Sequence, residues 1–210
     1  TIIEWGSRDG LDTIALEEFF NPDVIYSFEC NPESIPVCLG NIEGHEKILF
    51  SNMAVTNIDG RVKFYPTDMR KSPDKNIGAS SLFRHTRGLV QKEIEVEAVR
   101  LDTFMQLQNI NHIDLLCMDL QGAEPLAVEG LGERKKDVTY IITEVAGNLN
   151  YDGEIPFSKF NEKLIGMGFI CLCKRGTNAV YKHKWWTGYK ENGLLIWQTM
   201  STSFIGIHTM

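Results

Sequence analysis

The chain opens on an apolar run that breaks into an acidic, glycine-punctuated turn: Thr1-Ile2-Ile3-Glu4-Trp5-Gly6-Ser7-Arg8-Asp9-Gly10. The pattern predicts a strand over 1–5. The apolar stripe Leu11, Ile14, Ala15, Leu16, Phe19 and Phe20 predicts a helix over about 11–20. Strand, glycine turn and helix in that order let a nucleoside-type ligand approach the backbone closely. Glu4 narrows the ligand. A carboxylate there repels a pyrophosphate, but it can accept hydrogen bonds or pair with a cationic amine, which fits the amino-acid end of S-adenosylmethionine.

A second acidic signal follows at 23–29 (Asp23-Val24-Ile25-Tyr26-Ser27-Phe28-Glu29), a buried strand ending in a carboxylate ahead of Cys30-Asn31-Pro32. In doubly wound folds an acidic residue about 20 positions past the glycine turn hydrogen-bonds the ribose hydroxyls, and Glu29 stands at that distance from Gly10. The competing reading is that Glu29 caps a helix starting near Pro32. The two acidic strand ends together favour the cofactor.

A chain of 210 residues with 43% hydrophobic content suits one α/β domain with a sizeable core. Its net charge of −7 argues against a duplex nucleic-acid partner, because phosphate binding requires a basic face. Five cysteines without a CxxC pair fit a reducing, cytoplasmic compartment, with no structural zinc expected. Neither a signal peptide nor an apolar run long enough for a membrane span is present. The first core strand begins at residue 1, so a domain over 1–210 excised from a longer polypeptide is expected.

Strands and helices alternate along the chain as a parallel sheet requires. A helix is expected near 33–42 and a third strand at 46–56. Asn57-Ile58-Asp59-Gly60 is a turn signal before Arg61-Val62-Lys63-Phe64-Tyr65, predicting an inserted β-hairpin. Residues 67–80 read as the longest irregular loop. Strands at 93–99, 113–118 and 138–145, helices opening at Leu101 and spanning about 123–131 and 157–167, and strands at 169–174 and 178–184 complete the pattern.

Four stretches carry a resemblance to the FkbM family of S-adenosylmethionine-dependent O-methyltransferases, running from residue 1 to about 175. They are Glu4 to Thr13; Phe28-Glu29-Cys30-Asn31-Pro32; Asn52 to Gly60 with Gly78-Ala79-Ser80-Ser81-Leu82; and Val99 to Phe104 followed by Ile113 to Glu124. The resemblance implies a Rossmann-like class I methyltransferase, a mostly parallel seven-stranded sheet with helices on both faces. It places S-adenosylmethionine against Glu4, Gly6, Ser7, Arg8, Asp9, Gly10, Asp12 and Thr13, then Glu29, Asn31, Met53 and Ala54, and Asp119. The chain departs from the family's usual pattern at Glu4 (Asp), at Trp5 and Arg8 (small or amide residues), at Cys117 (Lys) and at Gln121 (a frequent Glu).

Methyl transfer to a hydroxyl needs alignment of oxygen, methyl carbon and sulfur, and removal of the hydroxyl proton. Asp119 and Glu144 follow apolar strands and so are expected at the carboxyl edge of the sheet, where a base would stand. Asp119 has two other readings: a partner for the cofactor's amino group, or a cap for the helix near Gly122. Glu124 could share a divalent metal with Asp119, although a third ligand is missing and metal dependence is not expected. His85, after the long loop, is the alternative base.

Trp185, Trp186, Tyr181, Tyr189 and Trp197 give the C-terminal segment an aromatic density that suits stacking on a sugar ring, or packing at the sheet edge. That segment and the abrupt start would suit a domain fused to glycosyltransferase machinery acting on a small-molecule or glycan hydroxyl. Two further readings stand beside a sugar O-methyltransferase: a nicotinamide-dependent oxidoreductase, and a catalytically silent cofactor-fold adaptor module. The turn from Glu4 to Gly10 lacks the glycine spacing that seats a pyrophosphate, which counts against the oxidoreductase.

Overall fold

The structure, a computed structural model, describes residues 1–71, 76–145 and 147–186. Strand β1 (Ile2–Trp5) is buried at every position, as a strand covered on both faces must be. Helix α1 (Leu11–Phe20) follows, and ends where Asn21 turns left-handed and donates its backbone N–H to the Glu17 carbonyl, with Pro22 beyond it. Next come β2 (Ile25–Phe28), α2 (Ile35–Asn41), β3 (Ile48–Ser51), β4 (Ala54–Val55), β5 (Gly60–Phe64) and β6 (Ile94–Val99). The chain continues through α3 (Leu101–Leu107), β7 (Ile113–Met118), α4 (Glu124–Glu129), β8 (Val138–Glu144), α5 (Phe157–Gly166), β9 (Phe169–Arg175) and β10 (Asn178–His183).

Seven strands form one sheet in the order β3-β2-β1-β7-β8-β10-β9, and only β10 runs against its neighbours. β1 lies between β2 and β7, with Ile2 opposite both Ile25 and Leu115. Strand order reverses there, so the loops after β1 and β7 diverge and leave a crevice at the carboxyl edge. Leu16 of α1 and Cys38 of α2 pack with Ile2 and Ile25 on one face. Phe104 of α3, Val128 of α4 and Leu164 of α5 pack with Ile3, Leu116 and Ile141 on the other. Among the described residues no helix is long and apolar enough to cross a membrane.

The expected hairpin is built differently. β4 and β5 do not pair with each other; both pair with β6, β4 parallel and β5 antiparallel, giving a three-stranded sheet. The inner face of β6 buries Val96 and Ala98 against Ala54 and Phe64. Its outer face sets Glu95 and Glu97 within ion-pair reach of Arg61. The single strand expected at 46–56 therefore divides. β3 stays in the main sheet, the chain bends at Asn52-Met53, and β4 joins the small one.

Candidate functional site

A cavity of about 450 Å³ opens at the carboxyl edge of the main sheet. Its walls come from the ends of β1, β2, β7 and β8, the β3–β4 bend, the 76–82 segment and the β9–β10 turn. Gly6 lets the walls approach one another. Its φ is +88°, and a Cβ there would lie 2.0 Å from the Asp119 carbonyl oxygen. Gly6→Ala is therefore expected to destabilise the fold by at least roughly 1–3 kcal/mol through left-handed strain alone, before the clash is counted. Chemical unfolding measures this; a wild-type midpoint would contradict the close approach.

Glu4 ends up almost fully buried on the cavity wall, where it accepts a hydrogen bond from the Thr13 hydroxyl. Burial pushes its carboxyl up to about 8; Asp12 and Asp119 push the same way, against the Thr13 and Ser7 hydroxyls. Ser7 itself is buried behind the wall, 2.6 Å from the Ser27 hydroxyl. Gly10, at φ +79°, is the residue from which α1 starts. Asp9 pairs with the Arg8 guanidinium at 3.0 Å and receives the Leu11 N–H at 3.3 Å. Ser7, Asp9, Gly10 and Thr13 thus shape the turn from behind, while Glu4, Gly6, Arg8 and Asp12 line the cavity.

Glu29 accepts the Arg8 backbone N–H at 2.9 Å and the Asn31 backbone N–H at 2.6 Å, so it ties the glycine turn to the end of β2. Burial raises it to about 7, against those two donors and the Cys30 backbone N–H. A carboxylate has about four acceptor positions, so one remains for a ligand hydroxyl. Asn31, Met53 and Ala54 line the same end of the cavity, and Asn31 Nδ2 reaches the Ser80 hydroxyl at 3.2 Å.

On the β7–β8 side of the cavity stand Asp119 and Glu144. β7 and β8 are adjacent and parallel, with Met118 opposite Thr143, so the next residue of each strand meets its neighbour at the edge. Glu144 is held up at about 9, by burial first and by Asp119 second. The Gln121 amide nitrogen lies 2.7 Å from Asp119 Oδ1 and 2.9 Å from Glu144 Oε2. Asp119 is not a helix cap, because its side chain meets the Gln121 amide and α4 has no side-chain cap.

Glu124 turns away from this cavity. It accepts the Leu120 backbone N–H at 2.7 Å, and burial lifts it to about 8. Among the described residues no three His, Cys, Asp or Glu side chains come together as a group able to hold a metal ion. His85 does not line the cavity. Its Nδ1 accepts the Arg87 N–H at 3.2 Å, and its ring stands edge-on to Tyr151, 5.1 Å between centroids.

The described aromatics of the C-terminal segment do not line the cavity. Tyr181 is fully buried and reaches Asn161 with its hydroxyl at 3.0 Å. Trp186 packs on His112, which precedes β7, at the amino edge of the sheet. Trp185 beside it is 72% exposed. Tyr189 and Trp197 lie outside the described residues. Sequence reasoning did not find Tyr151, Arg175, Thr177 or Asn178. The last three come from the β9–β10 turn and line the cavity beside Glu144.

Strand order, the reversed β10 and the acidic ends of β1 and β2 define a Rossmann-like methyltransferase of class I. Residues 8–171 match the methyltransferase FkbM domain, and the chain belongs to that family. The 2-O-methyltransferase NoeI of Sinorhizobium fredii is 24% identical over 186 residues, covering 85% of this chain and 76% of that protein. Methyltransferase 1 of Beauveria bassiana is 22% identical over 193 residues, covering 83% and 74%. The crystal structure of methyltransferase FkbM from Methylobacillus flagellatus KT superposes with a TM-score of 0.55 at 9% identity. The match covers 87% of this chain and 43% of that one, a likeness of fold.

Proposed function

We propose that this methyltransferase uses S-adenosylmethionine and delivers its methyl group to a hydroxyl oxygen of a polyhydroxylated, sugar-class acceptor. The observation that carries the cofactor is Glu4, a buried carboxyl raised to about 8 beside Asp12 and Asp119 on the cavity wall. Such a wall gains from a cation and repels a pyrophosphate. When bound, the cofactor supplies an electrophilic methyl group. Glu4 would hold its ammonium end, and Glu29, on the same cavity wall at the end of β2, a ribose hydroxyl.

The O-acceptor reading is supported by the carboxyls on the β7–β8 side of the cavity, which can take up a hydroxyl proton, and by likeness to a protein named as a 2-O-methyltransferase. Asn178, Thr177, Gln121 and Arg175 add donors and acceptors there, as a sugar ring with several hydroxyls would require. In this reading Glu144 or Asp119 takes the proton as the new oxygen–carbon bond forms, and the β9–β10 turn orients the acceptor.

Calorimetric titration with S-adenosylmethionine and with NAD tests the cofactor, and mass spectrometry of a panel of mono- and oligosaccharides incubated with S-adenosylmethionine tests the acceptor. Binding of S-adenosylmethionine alone and gain of one methyl group by a sugar are expected. Binding of NAD alone would support the oxidoreductase; binding of neither would support the silent module.

A further inference from the structure

Both carboxyls at the acceptor end of the cavity are held by one neutral side chain. An amide NH2 carries two hydrogens, and Gln121 directs one to Asp119 Oδ1 at 2.7 Å and the other to Glu144 Oε2 at 2.9 Å. The opposite end of the amide is fixed as well, because Gln121 Oε1 lies 2.9 Å from the Tyr151 hydroxyl. Asp119 as an acceptor at one end and the Tyr151 O–H as a donor at the other assign the nitrogen to the carboxyl side.

The backbone is shaped to make this possible. Gln121 is left-handed at φ 51° and Gly122 follows at φ 94°, so the chain doubles back after β7 and returns the side chain over the strand ends. A non-glycine residue in that region costs free energy that the surroundings must offset. Here they do: Ser81 Oγ donates to the Gln121 carbonyl at 2.8 Å, and the buried Tyr151 hydroxyl shares its one proton between Gln121 Oε1 and the Ala79 carbonyl at 3.1 Å. Tyr151 is clasped in turn by the 84–86 stretch. Its backbone bridges His85, and the neighbouring Thr86 N–H donates to the Asn150 carbonyl at 2.7 Å.

We propose that Gln121, locked by Tyr151, is a positioning residue that holds Asp119 and Glu144 side by side and stabilises the ionised form that receives the acceptor's proton. The proposal rests on the reading of this carboxyl pair as the site of proton removal. Asp119 also shares a hydrogen bond with Glu144 and raises it, and Glu124 and Glu154 push Glu144 the same way, with Arg175 across the cavity wall. Donors from Gln121 favour the charged form of either carboxyl, so the pair can carry a negative charge toward the acceptor. A neutral amide does this without adding a third charge. His85, through its contact with Tyr151, supports the lock from outside the cavity.

The test needs no acceptor. Glu144 is titrated by NMR in cofactor-free protein carrying ¹³C-labelled glutamate, with Glu144→Gln assigning the signal. In Gln121→Leu the Glu144 titration is expected to move to higher pH by about 1–2 units, the worth of one hydrogen bond to a charged group. Tyr151→Phe keeps the ring, removes the lock, and is expected to move it the same way by less. A wild-type titration in both variants, with or without a loss of melting temperature, overturns the proposal. Should Gln121→Leu not fold, the Tyr151→Phe titration alone decides. Methyl-transfer assays separate the underlying reading: full activity in both Asp119→Asn and Glu144→Gln removes the proton role of the pair. Loss of activity there with unmoved titrations removes only Gln121.

Discussion

Replacing Glu144 by Gln, or Asp119 by Asn, is expected to lower the rate of methyl transfer by about 10²–10⁴-fold, the usual contribution of a positioned general base. The two carboxyls end adjacent parallel strands and share the Gln121 amide, so on the proposed reading one acceptor hydroxyl would face both. Cofactor affinity separates their roles. The true base, as its amide, keeps S-adenosylmethionine binding and loses turnover. A residue that serves the cofactor loses affinity along with rate. Activity lost with chelator and restored by a divalent cation would instead move the pair to metal-assisted chemistry. Full activity of both amide variants in the presence of chelator would overturn the assignment.

The ends of the parallel strands were legible because an apolar run that stops at a carboxylate has one stable placement, with the run inside the sheet and the charge at its edge. Glu29, Asp119 and Glu144 follow that rule, whereas Glu4 lies inside β1, opposite Ser27 and Cys117; all four line one cavity. The main sheet was legible for the same reason. The small sheet was not, because Asn57-Ile58-Asp59-Gly60 signals a reversal without specifying what the reversed strand will pair with. The partner, β6, lies more than 30 residues further on and fills the space between β4 and β5.

Of the aromatic segment, Trp185 and Trp186 stand away from the cavity for a reason of direction. Aromatic density in a sequence has no orientation, whereas β10 starts beside Glu144 and runs antiparallel to β8, carrying the chain away from the cavity before Trp185 and Trp186. The same reversal brings Arg175, Thr177 and Asn178 in, since the turn that precedes β10 must lie at the carboxyl edge. Tyr151 was hidden differently. It sits in an irregular segment with no periodic signal, and only the tertiary return of that segment onto Gln121 gives it a place at the site. His85 drew attention as a titratable loop residue, and the structure sets it behind Tyr151.

Raising the pH from 6 to 8 is expected to tighten S-adenosylmethionine binding by about 10²–10³-fold, because the ligand requires ionised forms of two carboxyls that burial keeps protonated. Glu29 is raised to about 7 and Glu4 to about 8, so at pH 6 both are mostly neutral, and at pH 8 Glu29 is charged and Glu4 half so. Binding should release protons in that interval, visible as a dependence of the calorimetric heat on the buffer's ionisation enthalpy. Stability of the cofactor-free protein should run the other way. A carboxyl raised above its unfolded value contributes stability that is complete below the unfolded pKa and is lost as pH rises through the folded one. The melting temperature is therefore expected to fall between pH 5 and 9 without cofactor, and to fall less with it. Glu4→Gln removes one of the two linked protons and should flatten the affinity profile above pH 7, while Glu29→Ala should weaken binding by roughly 1–3 kcal/mol through lost charge-assisted hydrogen bonds. An affinity that does not change with pH, in a protein that still binds S-adenosylmethionine, would place the ligand's charged groups away from both carboxyls.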